Sequence, residues 1–191
     1  MTPRSSEPAP QSSDATRKAI AQAASRLFAE RGFDNTSVRT IAGEAGADAA
    51  LVIRYFGSKE ELFLTTIRMH RAFDAALHSP LPQLAAELVA AAAAMRGTQA
   101  LRIYGVLVRA SGHPKVGSNL HEAITDGMVE PLAARLAGSD RQLRSRLVVA
   151  QLLGLLDALA LREDPVLLEA GTGSLVQLYG GALDTLISPA S

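Results

Sequence analysis

Apolar residues recur at three- and four-residue intervals along most of the chain, which is the spacing of one face of an α-helix. In the first such segment they are Ile20, Ala23, Ala24, Leu27 and Phe28. Asp14 precedes this segment as a good N-cap residue, and Gly32 follows it where a left-handed residue ends many helices. The pattern therefore predicts a first helix from about residue 15 to Arg31.

Eight further helices are predicted from the same spacing and from capping signals. Thr36 and Asp48 are N-cap residues for two short helices, and Ser58 with Glu61 forms a capping box that opens a fourth. The predicted spans after the first helix are 36–44, 48–57, 58–78, 82–96, 98–111, 114–137, 140–162 and 172–187. Together they predict an all-α fold of about nine helices.

Composition supports this fold class and narrows the chemistry. Apolar residues make up 48% of the chain, mostly Ala and Leu, and aromatic residues only 4%. The absence of cysteine excludes disulfides and thiol catalysis. Because the formal net charge is zero, any surface for nucleic acid must be local.

The stretch "TSVRTIAGEAGADAALVIRYFGSKEELF" breaks one helical pattern into two short helices around Gly46. Glycine adopts the turn conformation that side chains with a Cβ resist, and such a pair of helices is the helix-turn-helix arrangement. The inward positions are Ile41, Ala42, Ala45 and Val52, and the outward ones are Arg39, Ala49, Ala50, Arg54 and Tyr55. The second helix would then lie in the major groove of DNA.

In this segment the chain resembles the DNA-binding domain of the TetR family of transcriptional repressors. The matching motifs are Thr36-Ser37-Val38-Arg39-Thr40-Ile41-Ala42, Ala45-Gly46, Tyr55-Phe56 and Ser58-Lys59-Glu60-Glu61-Leu62. The resemblance covers about residues 14–63. The Pro/Ser/Ala composition of residues 1–13 predicts a disordered tail. Breaks between the predicted helices place a small unit over 14–57 and a larger helical domain over 58–188. The resemblance implies that the first is a three-helix DNA-binding domain and the second a ligand-binding and dimerisation domain.

The resemblance also implies roles for individual residues. Ser37, Tyr55 and Lys59 match phosphate-contacting positions, and Arg39 matches a position that can bond a guanine edge. The full predicted DNA-binding set is Thr36, Ser37, Arg39, Asp48, Ala49, Ala50, Arg54, Tyr55 and Lys59. Three positions depart from the family pattern, because Asp48 repels phosphate and Leu51 and Ile53 are apolar.

Family members usually hold a small molecule in the second domain, and its binding changes the spacing of the two recognition helices. Polar and thioether groups inside apolar helical stretches are the candidates for that site, although each can equally be a satisfied core or interface group. They are Arg102, Tyr104, His121, Thr125, Met128, Gln151 and Asp157.

The last two long helices are apolar on more sides than one small domain can cover, which predicts a homodimer formed as an isologous four-helix bundle. The alternative is that both helices are core of a monomer. The predicted interface residues are Leu152, Leu155, Leu159, Leu175, Leu178, Tyr179, Ala182 and Leu186.

We therefore predict a cytoplasmic, ligand-responsive repressor that binds a palindromic operator as a homodimer and is released by a small-molecule effector. No nucleophile, acid–base pair or cofactor loop has the required spacing, so neither an enzyme nor a cofactor is expected. The four histidines lie eight residues apart in each pair, which does not suit a metal site. The alternatives are a helical dimerisation module without DNA binding and, less favoured, a small-molecule-binding enzyme.

Overall fold

The computed structural model describes residues 10–66 and 69–188, and within these ranges every regular element is helical. The chain divides into two compact units, one up to Thr66 and one from Ile67 onward. The first unit extends past residue 57, where the sequence predicted its end, because the helix that follows packs on the first helix.

Four helices build the first unit: α1 (Pro10–Arg31), α2 (Val38–Ala45), α3 (Ala49–Phe56) and α4 (Lys59–Thr66). Helix α1 begins at Pro10, ahead of the predicted start after Asp14, and so takes in the last residues of the predicted tail. Proline is well suited to a first helical turn because its missing N–H needs no partner there. Residues 1–9 of the predicted tail lie outside the described residues.

An aromatic cluster forms the centre of the first unit. The ring centroid of Phe63 lies 4.8 Å from that of Phe28 and 5.0 Å from that of Phe33. Phe28 and Phe63 are fully buried, and Ile41 of α2 and Val52 of α3 are buried as well. Burial of one apolar face from each helix therefore sets how α2 and α3 are held against α1 and α4.

The second unit contains nine α-helices within the described residues, namely α5 (Met69–Leu77), α6 (Leu81–Ala94), α7 (Gln99–Ala110), α8 (Pro114–Ile124), α9 (Glu130–Arg135), α10 (Arg141–Ala160), α11 (Pro165–Glu169), α12 (Thr172–Leu175) and α13 (Gly181–Ile187). Two π-helical turns, Thr125–Val129 and Val176–Gly180, join α8 to α9 and α12 to α13. Helices α6 and α10 are central and pack against most of the others. The core between them includes Leu88, Leu152 and Leu183.

The thirteen α-helices in the described residues exceed the nine predicted for three reasons. The π turns divide two predicted helices, since a single extra residue shifts the hydrogen-bond pattern without ending the helical rod. Helix α11 was not predicted, because five residues are too few to show a period. The predicted helix 58–78 is described as α4 and α5, and residues 67 and 68 lie outside the described part.

Three arginines satisfy backbone carbonyls at chain bends in the second unit. Arg144 is buried and donates to the carbonyls of Ala137, Leu186 and Ile187. Arg96 donates to the carbonyls of the chain around α11, and Arg135 to those of Leu77 and Ser79. Each guanidinium joins segments distant in sequence, because its five donors reach several acceptors at once.

Candidate nucleic-acid interface

The turn between α2 and α3 depends on the backbone conformation of Gly46. Its φ and ψ are 63° and 31°, in the left-handed region that glycine adopts without steric cost. The Ala47 N–H donates to the carbonyl of Ala42 at 2.9 Å, and the Gly46 N–H donates to that of Gly43 at 3.3 Å. These bonds end α2 in a Schellman-type cap, which redirects the chain into α3.

Side chains at the first turn of α2 divide into a buried and an exposed group. The Ser37 hydroxyl is the N-cap and accepts from the Thr40 N–H at 3.1 Å. Thr36 was predicted as that cap and as a DNA contact, and the structure contradicts both predictions. It is only 1% exposed, and its hydroxyl donates to the carbonyl of Gly32 at 2.8 Å, which ties α2 to the end of α1.

Helix α3 presents an exposed face of mixed character. Asp48 caps it by accepting from the Ala50 N–H at 2.7 Å, as predicted, while Val52 and Phe56 are buried. Ala50, Ile53 and Arg54 are exposed at helical spacing on the opposite side. From the sequence, Ile53 was expected only as the loss of a usual phosphate contact, yet its side chain is 46% exposed at the middle of this face. An outward isoleucine between polar neighbours is the signal that could have identified it.

Of the other predicted outward residues, Arg39 is exposed, Ala49 is half-buried, and Tyr55 is half-buried with its hydroxyl donating to the Ser13 hydroxyl at 3.3 Å. This bond connects α3 to the start of α1. Ala45, predicted to face inward, is half-buried.

Lys59 is held at the start of α4 by its neighbours. Its ammonium nitrogen lies 4.1 Å from the centroid of the Phe33 ring, a cation–π contact. The predicted cap of this helix is present, because the Glu61 N–H donates to the Ser58 hydroxyl at 3.1 Å. The lysine is therefore positioned at a helix N-terminus, where backbone N–H groups also favour an anion.

On α2 and α3, two exposed arginines make no ion pair within the described residues. Arg26 of α1 pairs with Glu44 of α2 and so contributes to the structure of the unit. In the described residues neither Arg39 nor Arg54 makes an ion pair. An exposed arginine on each of α2 and α3, with the capped N-terminus of α2 nearby, can bind phosphate and base edges.

The structure brings together two of the predicted ligand-binding residues. The buried Tyr104 hydroxyl donates to the Asp157 carboxylate at 2.5 Å and to the carbonyl of Leu153 at 3.3 Å. Burial, and then the adjacent carboxylate, raise the pKa of Tyr104 far above its usual range. This pair therefore forms a fixed polar group between α7 and α10.

The remaining predicted ligand-binding residues are separate from that pair. Met128 is buried in the first π turn and Thr125 is half-buried there. Gln151 is half-buried, and its backbone carbonyl accepts from the Tyr179 hydroxyl at 2.7 Å. Arg102 and His121 are exposed, which removes them as lining residues of an enclosed site.

The predicted dimer residues lie on two different sides of the second unit. Four of the predicted interface residues are buried in the chain's own core and are not available to a partner, so their prediction as interface residues is wrong: Leu152, Leu155, Leu159 and Leu175. Leu178 is 78% exposed, Ala182 is exposed, and Tyr179 and Leu186 are half-buried. On α10 the exposed apolar residues are instead Leu143 and Leu147, because the core has taken the opposite face.

The glycine-turned pair α2–α3 on a small helical unit, followed by a larger helical unit, defines a helix-turn-helix regulatory protein. Two family models match the chain: "Bacterial regulatory proteins, tetR family" over residues 20–66, and "Tetracyclin repressor-like, C-terminal domain" over residues 82–187. The chain therefore belongs to the TetR family, whose members are transcriptional regulators and not enzymes.

Individual relatives agree with this assignment. The chain is 30% identical to a TetR-family regulator of Streptomyces coelicolor A3, over 97% of this chain and 99% of that one, with a TM-score of 0.65. It is 50% identical over 52 residues to the HTH-type transcriptional regulator BetI of Agrobacterium fabrum, which is 27% of this chain and 25% of that protein. It is 52% identical over 44 residues to an HTH-type transcriptional repressor of Mycobacterium tuberculosis, 23% of each chain. The matches to these curated relatives thus span about a quarter of their length.

Two further observations bear on the predicted location and on metals. Across residues 10–66 and 69–188, no helix is both long and apolar enough to cross a membrane. Over the same residues, no group of three or more His, Asp or Glu side chains is arranged to hold a metal ion.

Proposed function

We propose that the chain is a ligand-responsive transcriptional repressor that binds a palindromic operator as a homodimer. The observation that carries this proposal is the exposed surface of α2 and α3. There Arg39 and Arg54 are unpaired within the described residues, while Ser37 and Asp48 fix the helix ends. Such a surface combines rigid backbone with base-reading and phosphate-binding side chains.

Each residue of this surface has a role in this proposal that follows from its chemistry. Arg39 reads a guanine edge, and Ser37 and Lys59 hold phosphates. Ile53 with Ala50 contacts a thymine methyl group, since both are exposed and apolar on one face of α3. The Tyr55 hydroxyl contacts a phosphate in place of its hydrogen bond to Ser13. Arg54 adds positive charge to the same surface.

Repression rather than activation is the direction we propose. The relative from Mycobacterium tuberculosis that shares the helix-turn-helix segment is a transcriptional repressor. Effector binding in the second unit lowers operator affinity by linkage, because the effector favours a state of the dimer that binds DNA less well. The residues we retain for the effector site are the buried Tyr104 and its hydrogen-bond partner Asp157.

The test begins with selection of random duplex DNA by the purified full chain, followed by binding to the selected sequence across a salt series. We expect a palindrome, with affinity that falls as salt rises. If no sequence is enriched even at low salt, the DNA-binding proposal is wrong. The dimerisation-module alternative predicts that outcome.

Two substitutions separate phosphate contacts from base contacts. Lys59→Ala should weaken binding to all sequences. It should also reduce the salt slope, which is the slope of the logarithm of the binding constant against the logarithm of the salt concentration, by about 0.9 per lysine and so by about two for a dimer. Lys115→Ala removes an exposed lysine of the second unit and is the matched control. Ile53→Ala should leave the salt slope unchanged and relax the preference for thymine at one position of each half-site.

The effector is sought by adding small molecules to the protein–operator complex and measuring release. We expect compounds that release the operator also to raise the melting temperature of the free protein. A compound that competes with DNA for the surface of α2 and α3 does not use Tyr104. Such a compound would therefore release DNA equally from the Tyr104→Phe variant and from the unmodified protein. A reporter gene behind the selected operator distinguishes repression from activation.

A further inference from the structure

Asp48, the N-cap of α3, has one carboxylate oxygen that the fold does not use. The other oxygen accepts from the Ala50 N–H at 2.7 Å and so begins the helix. Within the described residues the second oxygen has no hydrogen bond, and Asp48 forms no ion pair. The residue is exposed at the tip of the helix that we propose reads DNA. A fixed acceptor is therefore available on this surface.

The charge of this carboxylate is not neutralised by the protein. Between residues 37 and 57 the acidic residues are Glu44 and Asp48, and Glu44 pairs with Arg26 of α1. Arg39 and Arg54 are exposed on α2 and α3, yet neither forms an ion pair with Asp48. An unpaired carboxylate opposes the approach of a phosphate. It is compatible with close contact to DNA only where the DNA presents a hydrogen-bond donor.

Donors are few on the major-groove edge of DNA. They are the N4 amino group of cytosine and the N6 amino group of adenine. Adenine also presents the acceptor N7 beside its amino group, and a carboxylate, which only accepts, is repelled by it. Cytosine presents no acceptor on this edge. A carboxylate therefore fits cytosine best, whereas the amide of Asn or Gln, which both donates and accepts, fits adenine.

The position of Asp48 on α3 suits contact with a base. Residues at the N-terminus of a recognition helix are those that reach base edges. The neighbours of Asp48 in the first turn are Ala49, Ala50 and Leu51, so no other side chain there can form a hydrogen bond. Five residues separate Asp48 from Ile53, which is about 7.5 Å along the helix, or about two base-pair steps.

We propose that Asp48 is a specificity-determining residue, which accepts a hydrogen bond from the N4 amino group of a cytosine in each half-site. This cytosine lies within about two base pairs of the thymine contacted by Ile53. The inference rests on the proposed DNA binding and adds a base to the operator. The same carboxylate rejects thymine and guanine at this position, because their O4, O6 and N7 atoms are acceptors that face it.

The test uses Asp48→Asn, which changes the chemistry of the side chain and keeps the cap. Asn is as good an N-cap as Asp, so α3 should be retained. For the unmodified protein, exchange of the cytosine for thymine in the selected operator should weaken binding about tenfold. For Asp48→Asn the same exchange should weaken binding by less than about threefold, because the amide N–H donates to thymine O4.

A second selection from random duplex DNA makes the same comparison without a chosen sequence. The unmodified protein should enrich cytosine at this position, and Asp48→Asn should enrich adenine there or show no preference. Glu30→Gln is the matched control, because it removes an exposed carboxylate of α1 and leaves α3 unchanged. It should keep the preference for cytosine. Thermal unfolding followed by circular dichroism checks that both variants remain folded.

The outcomes separate this inference from the proposed function. If Asp48→Asn changes the affinity for the cytosine and thymine operators by the same factor, Asp48 is only a helix cap and the cytosine assignment is wrong. Absence of a selected cytosine within about two base pairs of the position that depends on Ile53 would overturn it as well. In both cases DNA binding stands. If the unmodified protein enriches no sequence at all, the proposed function itself is wrong.

Discussion

Both units of this protein contain local helix caps, including Thr98 and Asp164 in the second unit, and the second unit adds arginine contacts between segments distant in sequence. In the first unit Ser37, Asp48 and Ser58 cap the N-termini of α2, α3 and α4 with hydroxyl or carboxylate oxygens, each within three residues of its partner. In the second unit Arg144 donates to Leu186 and Ile187, and Arg96 to the chain around α11, over 42 to 74 residues. Local caps define where helices begin, whereas arginines define which distant segments meet.

This difference suits the two proposed roles. Local caps hold each short helix independently of the rest of the chain, as a surface that reads DNA requires. Arginine contacts couple the end of α13 to the start of α10, the helices on which the homodimer interface is predicted. Stability of the second unit is therefore expected to depend on a few residues, and that of the first on many small contributions.

The largest predicted effect concerns Arg144. Arg144→Ala leaves three backbone carbonyls of the interior without their donor, and we expect the free energy of unfolding to fall by about 3 kcal/mol. Urea denaturation followed by circular dichroism measures this. Arg141→Ala, which removes an exposed neighbour, should stay within about 0.5 kcal/mol. If Arg144→Ala lowers the free energy of unfolding by less than about 1 kcal/mol, water replaces the arginine at these carbonyls. The proposed difference between the two units would then be wrong.

A smaller effect is expected at the adjacent pair Thr36 and Ser37. Thr36→Val removes a buried hydroxyl with two backbone acceptors, and should lower the free energy of unfolding by about 1.5 kcal/mol. Ser37→Ala removes an exposed N-cap and should lower it by about 1 kcal/mol. Binding to the selected operator separates them further, because only Ser37 is placed to contact phosphate. Both variants should be compared at one temperature at which each remains folded. If Thr36→Val and Ser37→Ala then lose operator affinity equally, the assignment of the phosphate contact to Ser37 is wrong.

The smallest effects, of opposite sign, are expected at Gly43 and Gly46. A Cβ at either position would meet no atom within 4 Å, so space does not distinguish them. Gly46→Ala forces a Cβ into the left-handed region and should lower the free energy of unfolding by about 1 kcal/mol. Gly43→Ala lies within α2 and should raise it by about 0.5 kcal/mol. Thermal unfolding of both variants tests this, and shifts of the same sign would refute the conformational explanation.

Much of the candidate DNA surface could be predicted from the sequence, with specific exceptions. The buried positions Ile41, Ala42 and Val52 and the exposed Arg39 and Arg54 are confirmed, because two short amphipathic helices have only one face that packs. Thr36 was placed wrongly because Thr and Ser side by side give the same capping signal. Only the position of α1 decides which hydroxyl turns inward.

The second unit was less predictable for a physical reason. Helix α10 is apolar on nearly all sides, so its period indicates a helix but no direction of burial. The predicted interface residues Leu152, Leu155 and Leu159 lie on the core face, and the exposed leucines lie opposite. Tyr104 and Asp157 were each singled out, but their pairing across 53 residues could not be read from spacing.

The sequence by itself determined the all-helical fold, most helix positions, the caps and the glycine turn, because each depends on residues within about one helical turn. It also carried the motifs that place the chain in the TetR family. Only the tertiary structure decided which faces of α10 and α13 are buried, which hydroxyl of the Thr36–Ser37 pair is exposed, and which carbonyls the arginines reach. Those features depend on burial against segments far away in the chain, and a local pattern contains no information about what packs on which side.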